Sequence, residues 1–312
     1  MKMTGFWLVV ADLRALLRWE RGSFEETLMP ELPEVETMVR GLRPAFLGRF
    51  VERIEVHDPF LLQGCDAEEF ERRGRMVQVE EVARRGKWVV ITLSDHRGMI
   101  VIQPRMTGGF WLVQPPRGEH IRLTFRLAKP EAKIWYCDTR RLGKIQWFAS
   151  PEQAALAFAR SHGPDALEIR LEDLTARLRR TRRGIKPALM DQKLLAGIGN
   201  IYADEILFAA RIHPQRIAAR LSRDELARLH SAISVTLTTA IAAEGSSFDA
   251  GYRTVLGLEG GFLAQNATYG REREPCRRCG QPIEKTKIPG LIGRPTYFCP
   301  NCQPRRRPRR AL

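Results

Sequence analysis

The 312-residue sequence has no long apolar run. Its nearest approach is GFWLVVADL at residues 5–13, which Asp12 interrupts. That stretch is shorter than the roughly 18–20 apolar residues that a membrane helix needs. No small-residue cleavage site of the kind found in secretory signals follows it. We therefore expect a chain that neither spans a membrane nor is exported.

Cysteine is sparse over most of the chain. Cys65 and Cys137 stand alone, and the other four of the six cysteines fall between residues 276 and 302. A secreted disulfide framework would spread its cysteines through a short chain. We therefore interpret Cys65 and Cys137 as ordinary buried cysteines, and we expect a reducing compartment with one metal site.

Acidic residues are too few to balance the basic ones. The sequence has 36 Asp and Glu against 51 Lys and Arg, which gives a formal net charge of +15 and a pI near 10.1. An excess of this sign and size favours an anionic polymer as partner, with nucleic acid first.

The order of the sequence patterns predicts an α+β protein. Pro33 suits a first helical turn, and apolar residues recur at helical spacing over residues 35–42, so we predict a helix that ends at Arg43-Pro44. Short β-rich segments separated by turn residues occupy residues 50–150, which is typical of a sandwich or barrel. Helical patterns return from about residue 165, including a capping box that begins at Ser222.

Two cysteine pairs near the C-terminus predict a metal site. Cys276 and Cys279 form the first C-x-x-C pair, and Cys299 and Cys302 form the second, 19 residues later. This spacing fits tetrahedral zinc with four thiolate ligands, which leaves no coordination position for a catalytic water. The segment between the pairs has the pattern of a β-hairpin, and we predict one structural zinc ion.

The segment Met29-Pro30-Glu31 raises the question of covalent chemistry. An amino-terminal proline is a secondary amine that can attack an electrophilic sugar carbon and form an imine without another cofactor. The nearby carboxylates of Glu31 and Glu34 have two interpretations that the spacing leaves open. They either transfer protons at the site or are the acidic first turn that helices favour.

Four motifs in order resemble bacterial formamidopyrimidine-DNA glycosylase. They are MPELPEVET from residue 29, RRGKW at 84–88, GIGNIYADEILF at 197–208, and the cysteine hairpin ending in GRPTYFCPNCQ at 293–303. The resemblance covers nearly all of residues 29–303. It implies an N-terminal β-sandwich with flanking helices, a C-terminal helix–two-turn–helix domain and a four-cysteine zinc hairpin.

The resemblance also implies domain limits. We expect a questionable N-terminal extension (1–28), a catalytic β-sandwich domain (29–155), a helix–two-turn–helix DNA-binding domain (165–250), a lesion-side loop (251–268), a zinc finger (269–303) and a basic tail (304–312). A monomer in the bacterial cytoplasm, working on the nucleoid, is the corresponding expectation for assembly and location.

The implied activity is base-excision repair of duplex DNA that carries oxidised purines such as 8-oxoguanine or formamidopyrimidines. Pro30 would attack the anomeric carbon, and Glu31 would act as the acid and base at the sugar. The resemblance assigns Lys87 to β-elimination and Arg294 to δ-elimination and phosphate binding.

DNA contacts follow from the same resemblance, together with the basic patch that ends at Lys186. The residues that we expect to touch DNA are His120, Arg141, Arg182, Lys186 and Asn200, with Met106 inserted where the base has left. The family usually has phenylalanine after the paired arginines, whereas this chain has Leu142, which stacks less well on a base.

The chemistry predicted for Pro30 requires a free nitrogen. If residues 1–29 remain attached, that nitrogen is a tertiary amide without an available lone pair. We therefore expect translation to begin at Met29 or the extension to be removed.

Two alternatives remain at this point. An endonuclease VIII-like relative would excise oxidised pyrimidines, although such proteins usually begin Met-Pro-Glu-Gly-Pro-Glu. A non-catalytic DNA-binding protein would explain the zinc site and the +15 charge, but it would leave Pro30, Glu31 and Lys87 unexplained.

Overall fold

The computed structural model describes residues 30–95, 97–247 and 251–305. The predicted extension (1–28), Met29 and most of the predicted basic tail lie outside these ranges. Within them, no helix combines the length and apolar character that crossing a membrane would demand.

The N-terminal half is a helix packed on β-strands. Helix α1 (Leu32–Phe46) buries one apolar face, and helix α2 (Ala67–Arg73) lies beyond the first strand. The helix α1 was predicted to end at Pro44, but it continues for two more residues because Pro44 lies in its last turn, where Leu47 N–H still bonds to the carbonyl of Arg43. The strands are β1 (Phe50–Val56), β2 (Leu62–Gln63), β3 (Val77–Arg85), β4 (Trp88–Leu93), β5 (Gly98–Gln103), β6 (Gly108–Trp111), β7 (Ile121–Leu127), β8 (Ala132–Asp138) and β9 (Lys144–Phe148).

The strand order is β2-β9-β5-β4-β3-β1-β7-β8-β6, and every pairing except β2 with β9 is antiparallel. Strands β1 and β3 share only two residue pairs, so this short seam joins the two halves of the sheet. Apolar side chains from both halves and from α1 form one core between them. This agrees with the sandwich that the sequence predicts.

The C-terminal half is helical. Helix α3 (Pro151–Ser161) still packs on strands β5 and β9 of the N-terminal half. The helices of the C-terminal half are α4 (Leu171–Arg179), α5 (Ile185–Leu189), α6 (Asn200–Ala209) and α7 (Arg223–Ala242). Helix α6 buries nearly its whole circumference, including the carboxylates of Asp204 and Glu205. The predicted capping box is confirmed, since Ser222 and Glu225 exchange side-chain hydrogen bonds with each other's backbone N–H at the start of α7.

Two further segments complete the fold. The predicted lesion-side loop lies against the N-terminal half: Tyr252 and Val255 enter its core, and Leu112 N–H bonds to the Val255 carbonyl at 2.8 Å. The zinc hairpin consists of antiparallel strands β10 (Glu284–Thr286) and β11 (Thr296–Phe298).

The start of α1 connects the two halves. The Leu32 side chain belongs to the helical core rather than to the sheet core, and Leu32 N–H bonds to the Gly197 carbonyl at 3.0 Å. Glycine is needed in this turn because the side chains of Glu31 and Leu32 pack directly against it. A Cβ on Gly199 would lie 2.3 Å from Glu31 Cδ, and a Cβ on Gly197 would lie 2.4 Å from Leu32 Cδ1.

We expect Gly199→Ala to destabilise the fold by about 1–3 kcal/mol, the usual cost of forcing extra volume into a packed site. Urea unfolding measures this effect. Gly118→Ala is the matched control, because a Cβ there meets no atom within 4 Å. Equal stability of the two variants would show that the turn can move away from Glu31.

Candidate active site

Glu31 lies at the junction of the two halves, and its carboxylate caps a helix that is distant in sequence. Gly199, which precedes α6, has no side chain that could cap it. Instead, Gly199 N–H and Ile201 N–H donate to the two Glu31 oxygens at 2.6 and 2.9 Å. A carboxylate is favoured here by the unsatisfied N–H groups and the positive end of the helix dipole.

The Glu31 carboxyl is almost completely buried. Burial raises its pKa, while the positive charge of Lys87 and the backbone hydrogen bonds lower it. The net shift of this pKa is upward, so burial favours the protonated carboxyl more than water would. Pro30, directly before it, is also buried.

Glu34 is the second buried carboxyl, but its surroundings differ. It accepts hydrogen bonds from the Tyr202 hydroxyl at 2.5 Å, from Ser246 N–H at 2.8 Å and from Glu31 N–H at 2.8 Å. Burial and the charge of Glu31 raise its pKa to about 7 against these donors. The sequence left both glutamates open as proton-transfer groups or as an acidic first turn. Both are buried, and Glu34 lies in the first turn of α1, where it forms a capping box with Glu31.

Lys87 lies in the turn directly before strand β4 and is buried. Burial lowers the pKa of its ammonium, Glu31 raises it, and Arg294 lowers it further. Among the described residues, its Nζ makes no hydrogen bond or ion pair. A buried amine with a depressed pKa and no fixed partner can accept and donate protons.

Arg84 fixes the turn that carries Lys87. Its guanidinium bonds to Glu36 at 2.9 Å and to Asp165 at 2.5 Å, and all three side chains are largely buried. Asp165 also accepts from Gly86 N–H at 2.9 Å. This ion-pair cluster ties the turn between β3 and β4 to the start of the helical half.

Arg294 lies in the loop between β10 and β11 and is exposed. Its charge lowers the pKa of both Lys87 and Lys186, although burial is the larger cause for each. The loop therefore lies within electrostatic reach of Lys87. The charges of Glu31 and Arg294 thus both act on Lys87, although the three residues come from separate segments of the chain.

The residues predicted to contact DNA are distributed around this centre. Asn200 is the first residue of α6; its Nδ2 donates to the Tyr269 hydroxyl at 3.3 Å, and its buried Oδ1 has no hydrogen-bond partner in the described chain. Arg182 is exposed, and His120 and Met106 are partly buried. Arg141 is half exposed and ion-paired with Asp58 at 2.6 Å.

Lys186 is not placed to contact DNA, and that prediction needs correction. Its side chain is completely buried, with Nζ 2.8 Å from Asp204 and bonded to the Pro295 carbonyl at 2.9 Å and to the Thr296 hydroxyl at 3.0 Å. Sequence charge alone suggested a surface patch. The ion pair instead attaches α5 and α6 to strand β11 of the zinc hairpin.

Sequence reasoning also missed Glu36 and Asp165 as partners of Arg84, and Tyr202 and Ser246 as partners of Glu34. The RRGKW motif contains Arg84, so its position was visible, but nothing in the sequence marks an acid 81 residues away as its partner.

The four predicted zinc ligands converge. Their sulfur atoms all lie within 4.8 Å of one another, with Cys276 to Cys302 at 3.9 Å and Cys279 to Cys299 at 3.5 Å. Tetrahedral zinc with bonds of about 2.3 Å separates its sulfurs by about 3.8 Å. The donor set and its spacing fit zinc.

Three family models match the chain. The formamidopyrimidine-DNA glycosylase N-terminal domain matches residues 29–145, the H2TH (helix–two-turn–helix) domain of the same enzymes matches residues 162–250, and the zinc finger found in FPG and IleRS matches residues 273–305. The last match and the four-sulfur cluster together show one structural zinc ion.

Individual proteins agree with these matches. A formamidopyrimidine-DNA glycosylase of Exiguobacterium is 38% identical over 288 residues, which cover 89% of this chain and 100% of the relative. The solved Thermus thermophilus enzyme superposes with a TM-score of 0.77 at 36% identity, covering 88% of this chain and 98% of its own. The Lactococcus lactis enzyme in complex with abasic-site DNA gives 0.78 at 31% identity, covering 88% and 100%.

We expect Lys186→Met to lose about 3–5 kcal/mol of unfolding free energy, because Asp204 is left as an unpaired buried charge. The double variant Lys186→Met/Asp204→Leu should recover much of this loss. Urea unfolding measures both. A stable single variant whose duplex affinity and salt dependence are both reduced would instead restore a DNA-contact role for Lys186.

The raised pKa of Glu34 predicts a pH dependence of stability. Because this pKa is about 7 in the folded chain against an ordinary 4.5, protonated Glu34 contributes fully below about pH 4.5, and the contribution is lost as the pH rises through about 7. We expect the stability difference between the wild-type protein and Glu34→Gln to fall by about 3 kcal/mol across this window. A difference that is flat or grows with pH, measured by urea unfolding, would contradict the shift.

Proposed function

Because the chain belongs to the formamidopyrimidine-DNA glycosylase family, and is thus a base-excision DNA glycosylase with lyase activity at abasic sites, we propose that it excises oxidised purines through an imine at Pro30. The observation that carries this proposal is the arrangement of the Glu31 carboxyl, directly after Pro30, with the buried Lys87 and the exposed Arg294. A non-catalytic DNA-binding protein would have no use for this combination.

In the first step, the Pro30 nitrogen forms a bond to C1′ of the damaged nucleotide, and the bond from C1′ to the base breaks. The amine loses its proton in this step, and the departing base gains one. Helix α1 begins two residues later, and its positive end favours the uncharged amine. Glu31 gives a proton to the ring oxygen O4′ as the C1′–O4′ bond breaks, which leaves a positively charged imine that has no proton on nitrogen. Its buried position and raised pKa suit it to carrying that proton.

In the second step, the imine acidifies the proton at C2′. Removal of that proton breaks the bond to the 3′ phosphate, and a second elimination breaks the bond to the 5′ phosphate. Lys87, with its lowered pKa, assists the first elimination. Arg294 binds a departing phosphate, and its exposed position leaves its guanidinium accessible to DNA.

The remaining residues hold and open the duplex. Asn200, the first residue of α6, binds phosphate through its Nδ2 amide group, which in the free protein donates to the Tyr269 hydroxyl at 3.3 Å. His120, Arg141 and Arg182 bind the backbone. Met106 fills the space that the extruded base leaves, which offsets part of the unstacking cost. The enzyme works as a monomer.

The substrate class is supported by what relatives bind. One Lactococcus lactis structure contains Fapy-dG, an oxidised purine derivative, and another contains an oxidised pyrimidine. The endonuclease VIII-like alternative differs in which lesion is excised faster. A direct comparison of the reaction on an oxidised purine and on an oxidised pyrimidine decides between them.

The decisive experiment is borohydride trapping on two duplexes, one with 8-oxoguanine opposite cytosine and one with thymine glycol. The protein should begin at Pro30, as verified by intact mass. We expect a covalent adduct at Pro30, identified by peptide mass spectrometry, and faster trapping on 8-oxoguanine. Faster trapping on thymine glycol would favour the alternative.

The matched control is the 312-residue chain with residues 1–29 retained. Its Pro30 nitrogen is an amide, so it should bind duplex DNA without forming an adduct. An adduct at Pro30 in that chain, or strand cleavage without any adduct in the shorter one, would overturn the imine mechanism.

A further inference from the structure

An exposed aromatic ring stands at the end of strand β1. Phe60 lies in the short 3₁₀ turn Pro59–Leu61, and 72% of the residue is exposed, although the adjacent Leu61 is buried. Within the described chain, Phe50 is the other exposed aromatic residue, and it lies at the opposite end of β1. A single exposed ring needs no explanation by itself, so the surroundings of Phe60 decide its meaning.

The Phe60 ring is covered on one face by a guanidinium that is itself held in place. Arg141 lies over the ring with 4.8 Å between its Cζ and the ring centroid. The Arg141 Nε and one terminal nitrogen bond to the two oxygens of Asp58 at 2.6 and 2.8 Å. Asp58 is buried and also accepts from Phe60 N–H at 3.2 Å. The ring and the guanidinium are therefore fixed as one flat, half-exposed unit.

This unit is joined to the turn that carries Met106. The Thr107 hydroxyl donates to Asp138 at 2.5 Å and accepts from Arg140 N–H at 3.0 Å. Asp138 also accepts from Gly143 N–H at 2.7 Å. Arg141 and Leu142 are thus anchored on both sides to the Met106 turn, and Phe60 is attached to them through Arg141.

The aromatic ring and the cation of this unit together indicate what kind of ligand it binds. Two of the five guanidinium N–H groups of Arg141 are used by Asp58, and the remaining ones can reach a phosphate. An aromatic face beside a cation is the combination by which proteins hold unstacked bases. Leu142, next to Arg141, has no aromatic face to offer.

We propose that Phe60, held by Arg141 and Asp58, stacks on a base of the strand opposite the lesion and supplies the aromatic contact that Leu142 does not. The inference rests on the proposed DNA contacts of Met106 and Arg141. Phe60 is a specificity-determining residue in this account, because it touches DNA away from the reacting sugar.

The test uses a duplex with a tetrahydrofuran abasic analogue opposite 2-aminopurine, whose fluorescence falls when a ring stacks on it. Compared with the wild-type protein, Phe60→Leu should bind this duplex about tenfold more weakly and give brighter emission. Phe60→Tyr keeps the ring and should restore both. Phe50→Leu is the matched control and should change neither.

The salt dependence of duplex binding distinguishes a stacking contact from an ionic contact. Phe60→Leu should leave the slope of log K against log salt unchanged, whereas Arg141→Met should reduce it by about one phosphate contact. If Phe60→Leu matches the wild-type protein in duplex affinity and in 2-aminopurine emission, the inference about Phe60 is overturned but the proposed function is not. A wild-type protein that does not prefer the abasic duplex to an undamaged one would overturn the proposed function as well.

Discussion

The buried carboxylate of Glu31 at the N-terminus of α6 is the contact on which the rest of the arrangement depends. It satisfies two N–H groups of a helix that lacks a capping side chain, and it crosses from one half of the molecule to the other. The same carboxyl lies next to Pro30 and interacts with Lys87. The contact that packs the two halves together is therefore the same contact that positions the side chains of the site. The glycines of the GIGN turn serve it, because a Cβ at Gly199 would occupy the position of the carboxyl.

The buried cations around this contact differ in whether a carboxylate pairs with them. Lys186 is paired with Asp204, and Arg84 is paired with Glu36 and Asp165, so these buried cations support the fold. Lys87 is buried without such a partner in the described chain, and Arg294 is exposed nearby. Lys87 thus differs from the other two buried cations, because no carboxylate in the described chain bonds to it, although the charge of Glu31 acts on it.

The sequence was sufficient for whatever depends on local spacing. The cysteine pairs, the capping box at Ser222 and the amphipathic start of α1 follow from residues a few positions apart, and each was confirmed. Contacts between distant residues were not predictable in the same way. The basic run that contains Lys186 looks like a surface patch until Asp204 is known to face it, and nothing near Arg84 identifies Asp165. The sequence pattern also could not show that Asp58 holds the Arg141 guanidinium against the Phe60 ring.

The long separation between Glu31 and its hydrogen-bond partners has a consequence for synthesis on the ribosome. Glu31 and Ile201 are 170 residues apart in the chain. At about 5–20 residues per second, the partner emerges roughly 10–35 s after the carboxylate. Until then, neither the turn nor the helix that fixes Glu31 exists, and Arg294 follows later still. The surroundings that hold Glu31 therefore form only after Ile201 has been made, and the loop that carries Arg294 joins them near the end of translation.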